Sequence, residues 1–266
     1  MSSISVVIIT RNEERNIVDC IKSAKLVCDD IIVVDACSND STVTLANASG
    51  AKVFSTVWKS YGASRNLGAA KAKNDWILAL DADERISNDL AQAIHQLKFA
   101  NPNCIYKFRR ENHLGNKKFR FGTLGFETVK RIYNRKNAQW DLSLVHEKLI
   151  ADSPEKKLVP GHIDHFGLKN ENDYKARAIL YAQMSAEKYL LEGKNVSILK
   201  KLSSPFFNSI KSYVFQLGFL DGRIGWISAK TIAYYSWLKY FYLQQLRKQS
   251  KIKEINFSPK PRVERA

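Results

Sequence analysis

Residues Trp76–Ile86 read WILALDADERI. An apolar run with strand character enters three carboxylates, Asp81, Asp83 and Glu84, within four positions. Charges of one sign that close together repel, so the arrangement needs a compensating partner. On an extended chain Asp81 and Asp83 point to the same side. Two carboxylates converging from one strand end suit a hard divalent cation, and Mg²⁺ characteristically joins one or two carboxylates to substrate phosphates. The alternative is structural: Asp83 or Glu84 caps the helix of SNDLAQAIHQLK (87–98), although Ser87 is the better N-cap.

Outward from this stretch the chain alternates. ISVVIIT (4–10), DIIVVDA (30–36) and AKVFSTV (51–57) read as buried strands. Between them, Ile17, Cys20, Ile21 and Ala24 fall at helical spacing, DSTVTLANASG (40–50) is a helix with a glycine stop, and GASRNLGAAKAKN (62–74) is helical. This rhythm predicts an α/β fold with a mostly parallel sheet flanked by helices. In such sheets ligands bind beyond the carboxyl ends of the strands. Here those ends present TRNEE (10–14), DACSND (35–40) and DADE (81–84).

Each polar residue near these ends has two readings. Asp35 either accepts hydrogen bonds from a ribose hydroxyl or base N–H, or caps the turn-forming CSND. Arg65 either reaches a phosphate or makes an exposed salt bridge. In LVHEKL (144–149), Glu147 or His146 either serves as a general base or occupies an ordinary strand edge.

From residue 101 the pattern loosens. CIYKFRREN (104–112) and VHEKLI (145–150) read as strands, VKRIYNRKNAQW (129–140) as a strand and turn, and 171–193 as a helix. Residues 205–246 hold 12 of the 29 aromatics, interrupted by Lys211, Arg223, Lys230 and Lys239. Its longest uncharged run is nine residues, too short for a spanning helix but suited to helices lying on a membrane surface. These helices could equally cover the sheet or dimerise.

The net charge of +16 is localised: residues 1–100 carry 11 Lys+Arg against 12 Asp+Glu, and residues 101–266 carry 31 against 14. Such asymmetry points to an anionic partner, a nucleic acid or an anionic membrane surface. No helix-turn-helix, RRM or KH signature supports the former, so no nucleic-acid partner is expected. A nucleotidyltransferase would show a Gly-rich phosphate loop near the first strand, which TRNEERN lacks. Cys20, Cys28, Cys37 and Cys104 have no CxxC spacing, and Met1 leads directly into the first strand. Both read as a reducing, cytoplasmic setting.

Taken in order, SVVIITRNEERNI (5–17), IIVVDACSNDST (31–42), GASRNLG (62–68) and WILALDADE (76–84) resemble the family 2 glycosyltransferases. These are inverting enzymes of the Rossmann-like GT-A fold that use nucleotide-sugar donors. SYGASRN (60–66), VKRIYNR (129–135), LVHEKL, DHFG (164–167) and GFLDGRIG (218–225) are similar to the lipopolysaccharide-core β-glucosyltransferases that act on heptose.

The resemblance implies that Thr10, Arg11, Asn12, Glu13 and Asp35 hold the nucleoside, with Arg65 near base and phosphate. It implies Asp81 beside the ribose and Asp83, with Asp81, at a divalent cation, Mg²⁺ or Mn²⁺. Arg131, His146 and His165 fall to the acceptor side or the phosphates. Glu147, with Asp141 behind it, is the expected catalytic base. Where the family has D-D-G-S or D-S-G-S, this chain has Asp35, Ala36, Cys37 and Ser38. Cys37 in place of glycine predicts a turn without left-handed geometry.

The expected organisation is a GT-A domain over 1–204, with a donor half (1–100) and an acceptor half (101–204), followed by a helical extension over 205–266. The expected partners are a nucleotide sugar, a UDP sugar by preference, and a glycolipid such as lipid A-core. The aromatic extension would then make peripheral contact with the cytoplasmic face of the inner membrane.

Overall fold

The computed structural model describes residues 4–143, 147–152, 154–194 and 196–257. Strand β1 (Ile4–Thr10) is buried along its whole length, as a β-branched run covered on both faces must be. It pairs in parallel with β2 (Ile31–Asp35) and β4 (Trp76–Asp81), and β2 pairs in parallel with β3 (Lys52–Ser55). Helices α1 (Ile17–Ala24), α2 (Thr42–Ala48) and α3 (Tyr61–Lys71) make the crossovers.

The second half adds β5 (Glu84–Ile86), α4 (Asn88–His95), β6 (Cys104–Leu114), β7 (Lys117–Lys118), α5 (Gly122–Gly125) and β8 (Glu127–Asn134). After them come β9 (Ala138–Trp140), β10 (Leu149–Ala151), β11 (Glu155–Leu168) and the helices α6 (Glu171–Leu191), α7 (Ile198–Ile210) and α8 (Arg223–Phe257). Strands β9 and β10 form a separate two-stranded ribbon.

Strand order in the main sheet is β3-β2-β1-β4-β8-β6-β11-β5, with β7 on β6. Only β8, β5 and β7 run antiparallel to their neighbours. The sheet is therefore mixed but mostly parallel, and flanked by helices. Its order has a geometric consequence. β4 and β5 are separated in the chain by Ala82 and Asp83 alone, yet they stand at opposite ends of the path β4-β8-β6-β11-β5. The sheet must curl back on itself, and the bond from Phe166 N–H to the Asp83 carbonyl (2.8 Å) closes the loop.

Apolar residues on the two faces form separate cores. On one, Ile4, Val6 and Ile8 meet Ile17 and Ile21 of α1 and Leu90 and Ile94 of α4. On the other, Val7 and Ile9 pack with Ala69 of α3, Tyr133 and Trp140. Helix α3 lies so close to β1 that a Cβ on Gly68 would fall 2.3 Å from Val7 Cγ1. Ser87 caps α4 by accepting from Leu90 N–H (3.2 Å), which frees Asp83 and Glu84 from that duty.

Strand β11 has no counterpart in the sequence reading. Its lysines, Pro160 and Gly161 hide the alternation, and its pairing with β6 is interrupted between Leu158 and His162. Gly161 is required at that bulge: its φ is +90° and an added Cβ would approach Leu90 N to 2.5 Å.

The boundary expected after residue 204 falls inside α7, which contains Pro205. A π-helical turn (Lys211–Phe215) and a 3₁₀ turn (Gly218–Asp221) lead into α8. This region is fixed to the sheet: Asp221 accepts from Phe121 N–H (2.9 Å), and Gly122 N–H donates to Gln216 O (2.9 Å). Helix α8 buries Ile227, Leu238 and Leu243 while leaving Trp226, Trp237 and Phe241 exposed.

Candidate functional site

Curling the sheet gathers charged side chains around the end of β4. Arg65, on α3 and 3% exposed, donates from Nη2 to Asp81 Oδ1 at 2.6 Å and from Nη1 to Glu147 Oε1. Its guanidinium also lies 4.6 Å from the centre of the Trp140 ring, which fixes its plane. Arg131 on β8 donates to Asp81 Oδ2 at 2.8 Å and to Glu84. Glu84, fully buried, takes a further contact from Arg110 Nη1 at 3.3 Å and accepts Asp81 N–H at 3.0 Å. Arg110 turns its other edge to Glu127 at 2.7 Å.

Burial alone would raise the Asp81 carboxyl, but Arg131, Arg65 and Arg110 outweigh it and hold the group far below the ordinary carboxylate range. Both Asp81 oxygens thus face guanidinium groups, whose positive charge opposes a cation at the same atoms.

Asp83 has different neighbours. His165 Nε2 lies 3.5 Å from its Oδ1, and Arg177 Nη1 on α6 lies 3.7 Å from its Oδ2. The His165 ring is oriented by a 2.6 Å hydrogen bond between Nδ1 and Asn112 Oδ1. Burial raises the Asp83 carboxyl, yet the charge and hydrogen bond of His165 bring it below its usual value. For His165, burial lowers the pKa and Asp83 more than reverses this, giving a net rise.

The loops after β1 and β2 are tied together. Asn12 N–H donates to Ser38 Oγ (2.8 Å), Asn12 Oδ1 accepts from Asn39 N–H (2.9 Å), and Glu13 N–H donates to Thr42 Oγ1 (2.8 Å). Asp35, buried, accepts from both Ser38 N–H and Ser38 Oγ. Thr10 Oγ1 is buried without a hydrogen-bond partner among the described residues, whereas Arg11 is exposed. Glu13 is raised above its ordinary pKa by burial and then by Asp83. The expectation for Cys37 is corrected: its φ is +54°, in the left-handed region. The double hold of Asp35 on Ser38 imposes that turn despite a strain of about 1–2 kcal/mol.

Of the two expected bases, Glu147 joins the cluster and Asp141 does not. Asp141 is engaged locally, accepting from Ser143 N–H at 3.2 Å and donating its own N–H to Lys148 O at 2.9 Å. His146 lies outside the described residues. A cavity of about 250 Å³ opens beside Glu147, lined by Arg65, Asp81, Arg110, Arg131 and Lys148 among others.

Sequence reasoning assigned no part in the site to Arg110, Asn112, Glu127 or Arg177. The sole local signal was the alternation of polar residues in FRRENH (108–113), which places Arg110 and Asn112 on one strand face.

Comparison with known proteins adds a family to this geometry. A Rickettsia typhi protein described as an uncharacterized glycosyltransferase is 28% identical over 265 residues, covering 94% of this chain and 90% of that protein. The lipopolysaccharide core biosynthesis glycosyltransferase LpsC of Rhizobium meliloti is 24% identical, over 88% of this chain and 89% of its own length. Among solved structures, S. aureus TarS (1–349) is 14% identical with a TM-score of 0.45, covering 97% of this chain and 93% of that one. A Mycobacterium tuberculosis glucosyl-3-phosphoglycerate synthase in complex with Mn²⁺ and UDP is 27% identical with a TM-score of 0.33, over 41% of this chain and 44% of that one. The model of the family Glycosyl transferase family 2 matches residues 5–149, more than half of the chain. With that match and a GT-A-like curled sheet, the chain belongs to glycosyl transferase family 2 and is a glycosyltransferase.

Proposed function

We propose that the chain transfers a hexose from a nucleotide sugar, a UDP sugar by preference, to an anionic glycolipid with inversion at the anomeric carbon. The observation that carries this reading is the pairing of Asp83 with His165 at the strand end where Arg65 and Arg131 hold Asp81. A carboxylate oxygen and an imidazole nitrogen 3.5 Å apart fit two corners of the shell of a divalent cation such as Mn²⁺. Gly167 keeps that corner open, because a Cβ there would lie 2.7 Å from His165 Nε2 and 2.9 Å from Asp83 Oδ2. When bound, the cation would neutralise charge growing on the departing nucleoside diphosphate.

The remaining work belongs to the chain's own residues. The tied loops carrying Thr10–Glu13 and Asp35 would receive the nucleoside, with the unpartnered Thr10 hydroxyl available to it. Each Asp81 oxygen keeps a lone pair for a ribose hydroxyl. Arg177, beside Asp83, would face the diphosphate. Arg65 orients Glu147, whose carboxylate would accept the proton of an acceptor hydroxyl as that oxygen attacks the anomeric carbon. The bond to the diphosphate breaks on the opposite face, so an α-linked donor gives a β-linkage. Asp141 is the second choice of base, and its local bonds favour Glu147.

Two features support an anionic glycolipid at a membrane. The cavity beside Glu147 is lined by several basic side chains, among them Arg110, Arg131 and Lys148. Phe206, Phe207, Phe215 and Leu220 are exposed close to the exposed Lys200 and Lys211. Rings and lysines in that arrangement suit an interface with anionic headgroups. No helix among the described residues is long and apolar enough to cross a membrane, so the contact proposed is peripheral, at the cytoplasmic face. The name of LpsC agrees with an acceptor of the lipid A-core class.

The test is to incubate the full chain and Mn²⁺ or Mg²⁺ with UDP-glucose, UDP-galactose, GDP-mannose, or UTP plus sugar phosphate, each with a core glycolipid acceptor. Release of a nucleoside diphosphate that depends on acceptor and cation is expected. Release of pyrophosphate would instead identify a nucleotidyltransferase.

A further inference from the structure

On the sheet face opposite Asn112 and His165, β6 and β11 bring together a second group of side chains. Glu111 and Asp164 are direct register partners on adjacent parallel strands. Two carboxylates directly opposite each other are destabilising unless positive charge lies between them. Only part of each side chain, 27%, reaches solvent. His162, on β11 and on the same face as Asp164, turns Nε2 toward both, at 3.4 Å from Glu111 Oε2 and 3.5 Å from Asp164 Oδ2.

These separations are informative. A tetrahedral ion bound at about 2.0–2.1 Å by nitrogen and oxygen has ligand atoms roughly 3.3–3.4 Å apart. Two edges of the group, 3.4 and 3.5 Å, are close to that length, and all three ligand atoms lie within 4.8 Å of one another. A supporting contact is in place as well. His113 Nε2 bonds Asp164 Oδ1 at 2.8 Å, which fixes the carboxylate and leaves Oδ2 toward His162. His113 is itself held by stacking on Phe166, ring centres 4.5 Å apart. A cavity of about 300 Å³, lined by Glu111, Pro160, Gly161 and His162 among others, adjoins the group and gives room for a fourth ligand.

The geometry points to a cation site formed by Glu111, His162 and Asp164, suited to Zn²⁺ and clipping β6 to β11. One imidazole and two carboxylates with an open position are a ligand set this ion accepts. In the metal-free chain Lys118 Nζ, 2.8 Å from Glu111 Oε2, supplies the positive charge. Its side chain is 38% exposed and free to swing away. The clip would stiffen the strands that present Asn112 and His165 on the other face. It does not depend on the donor chemistry proposed above.

The experiment uses the full chain carrying Asp83→Ala, so that a cation at the donor site does not contribute. After stripping with EDTA, the protein is titrated with Zn²⁺ by equilibrium dialysis and metal analysis, and with Co²⁺ by visible absorption. One equivalent of Zn²⁺ bound at micromolar concentration, with the absorption of four-coordinate Co²⁺, is expected. Adding His162→Ala or Glu111→Gln should weaken binding at least about tenfold, with unchanged circular dichroism. Adding Lys118→Gln should tighten it by removing the competing ammonium. Absence of stoichiometric binding in the Asp83→Ala chain, undiminished binding in both ligand variants, or no gain in Lys118→Gln would each overturn the site.

Discussion

Nε2 of His165 lies 3.5 Å from Oδ1 of Asp83, although one residue sits on β11 and the other in the turn after β4. Their meeting follows from the curl of the sheet, and it sets the first prediction. His165→Ala should weaken Mn²⁺-dependent binding of UDP by about 10–100-fold, with little change in binding measured in EDTA. Calorimetric titration under the two conditions checks this. Equal loss in both would mean that His165 serves the nucleotide without a cation.

Arg131 and Glu84 set the second. Arg131 is 4% exposed and Glu84 fully buried, and Arg131 also holds Asp81. Arg131→Ala leaves a buried carboxylate with Arg110 at 3.3 Å as its facing cation and the Asp81 N–H at 3.0 Å as its hydrogen-bond donor. The expected loss is about 3–5 kcal/mol of unfolding free energy, read from urea denaturation. A loss below about 1 kcal/mol would show that the pair contributes little.

Asp30 gives a pH dependence remote from the site. Burial raises its carboxyl, but hydrogen bonds from Lys52, Ser5 and the Lys73 N–H lower it further, so the folded pKa lies below the unfolded one. A depressed carboxylate contributes stability above its unfolded value, about 3.9, and the contribution fades as pH falls through the folded value. Lys52 is 62% exposed, so solvent limits the effect to about 1 kcal/mol. Asp30→Asn should be less stable than the parent at pH 7, and the difference should shrink as the pH falls below about 4. A gap that persists at low pH would assign the effect to packing instead.

The exposed ridge of α7 and the turn after it can be tested apart from catalysis. Replacing Phe206, Phe207 and Phe215 by serine should cut co-sedimentation with vesicles containing phosphatidylglycerol roughly tenfold. Added salt should weaken binding of the parent chain. If vesicle binding is unaffected while the protein changes its oligomeric state, the ridge joins two copies of the chain.

The sequence by itself determined the parallel part of the sheet that carries β1, β2 and β4. The apolar runs at Ile4–Thr10, Ile31–Asp35 and Trp76–Asp81 became strands with nearly the expected ends, because β-branched runs bounded by polar turn residues carry their own boundaries. From those ends came the loops at Thr10, Asp35 and Asp81–Asp83. Tertiary structure alone decided how the second half completes the cluster. β11 carries lysines, a proline and glycines that mask its period, and its pairing with β5 depends on a closure far along the chain. That closure sets His165 against Asp83, gives Asp81 to two arginines and buries Glu84 between Arg131 and Arg110. Charge pairing at that range depends on which strands lie side by side, and no local pattern of residues encodes it.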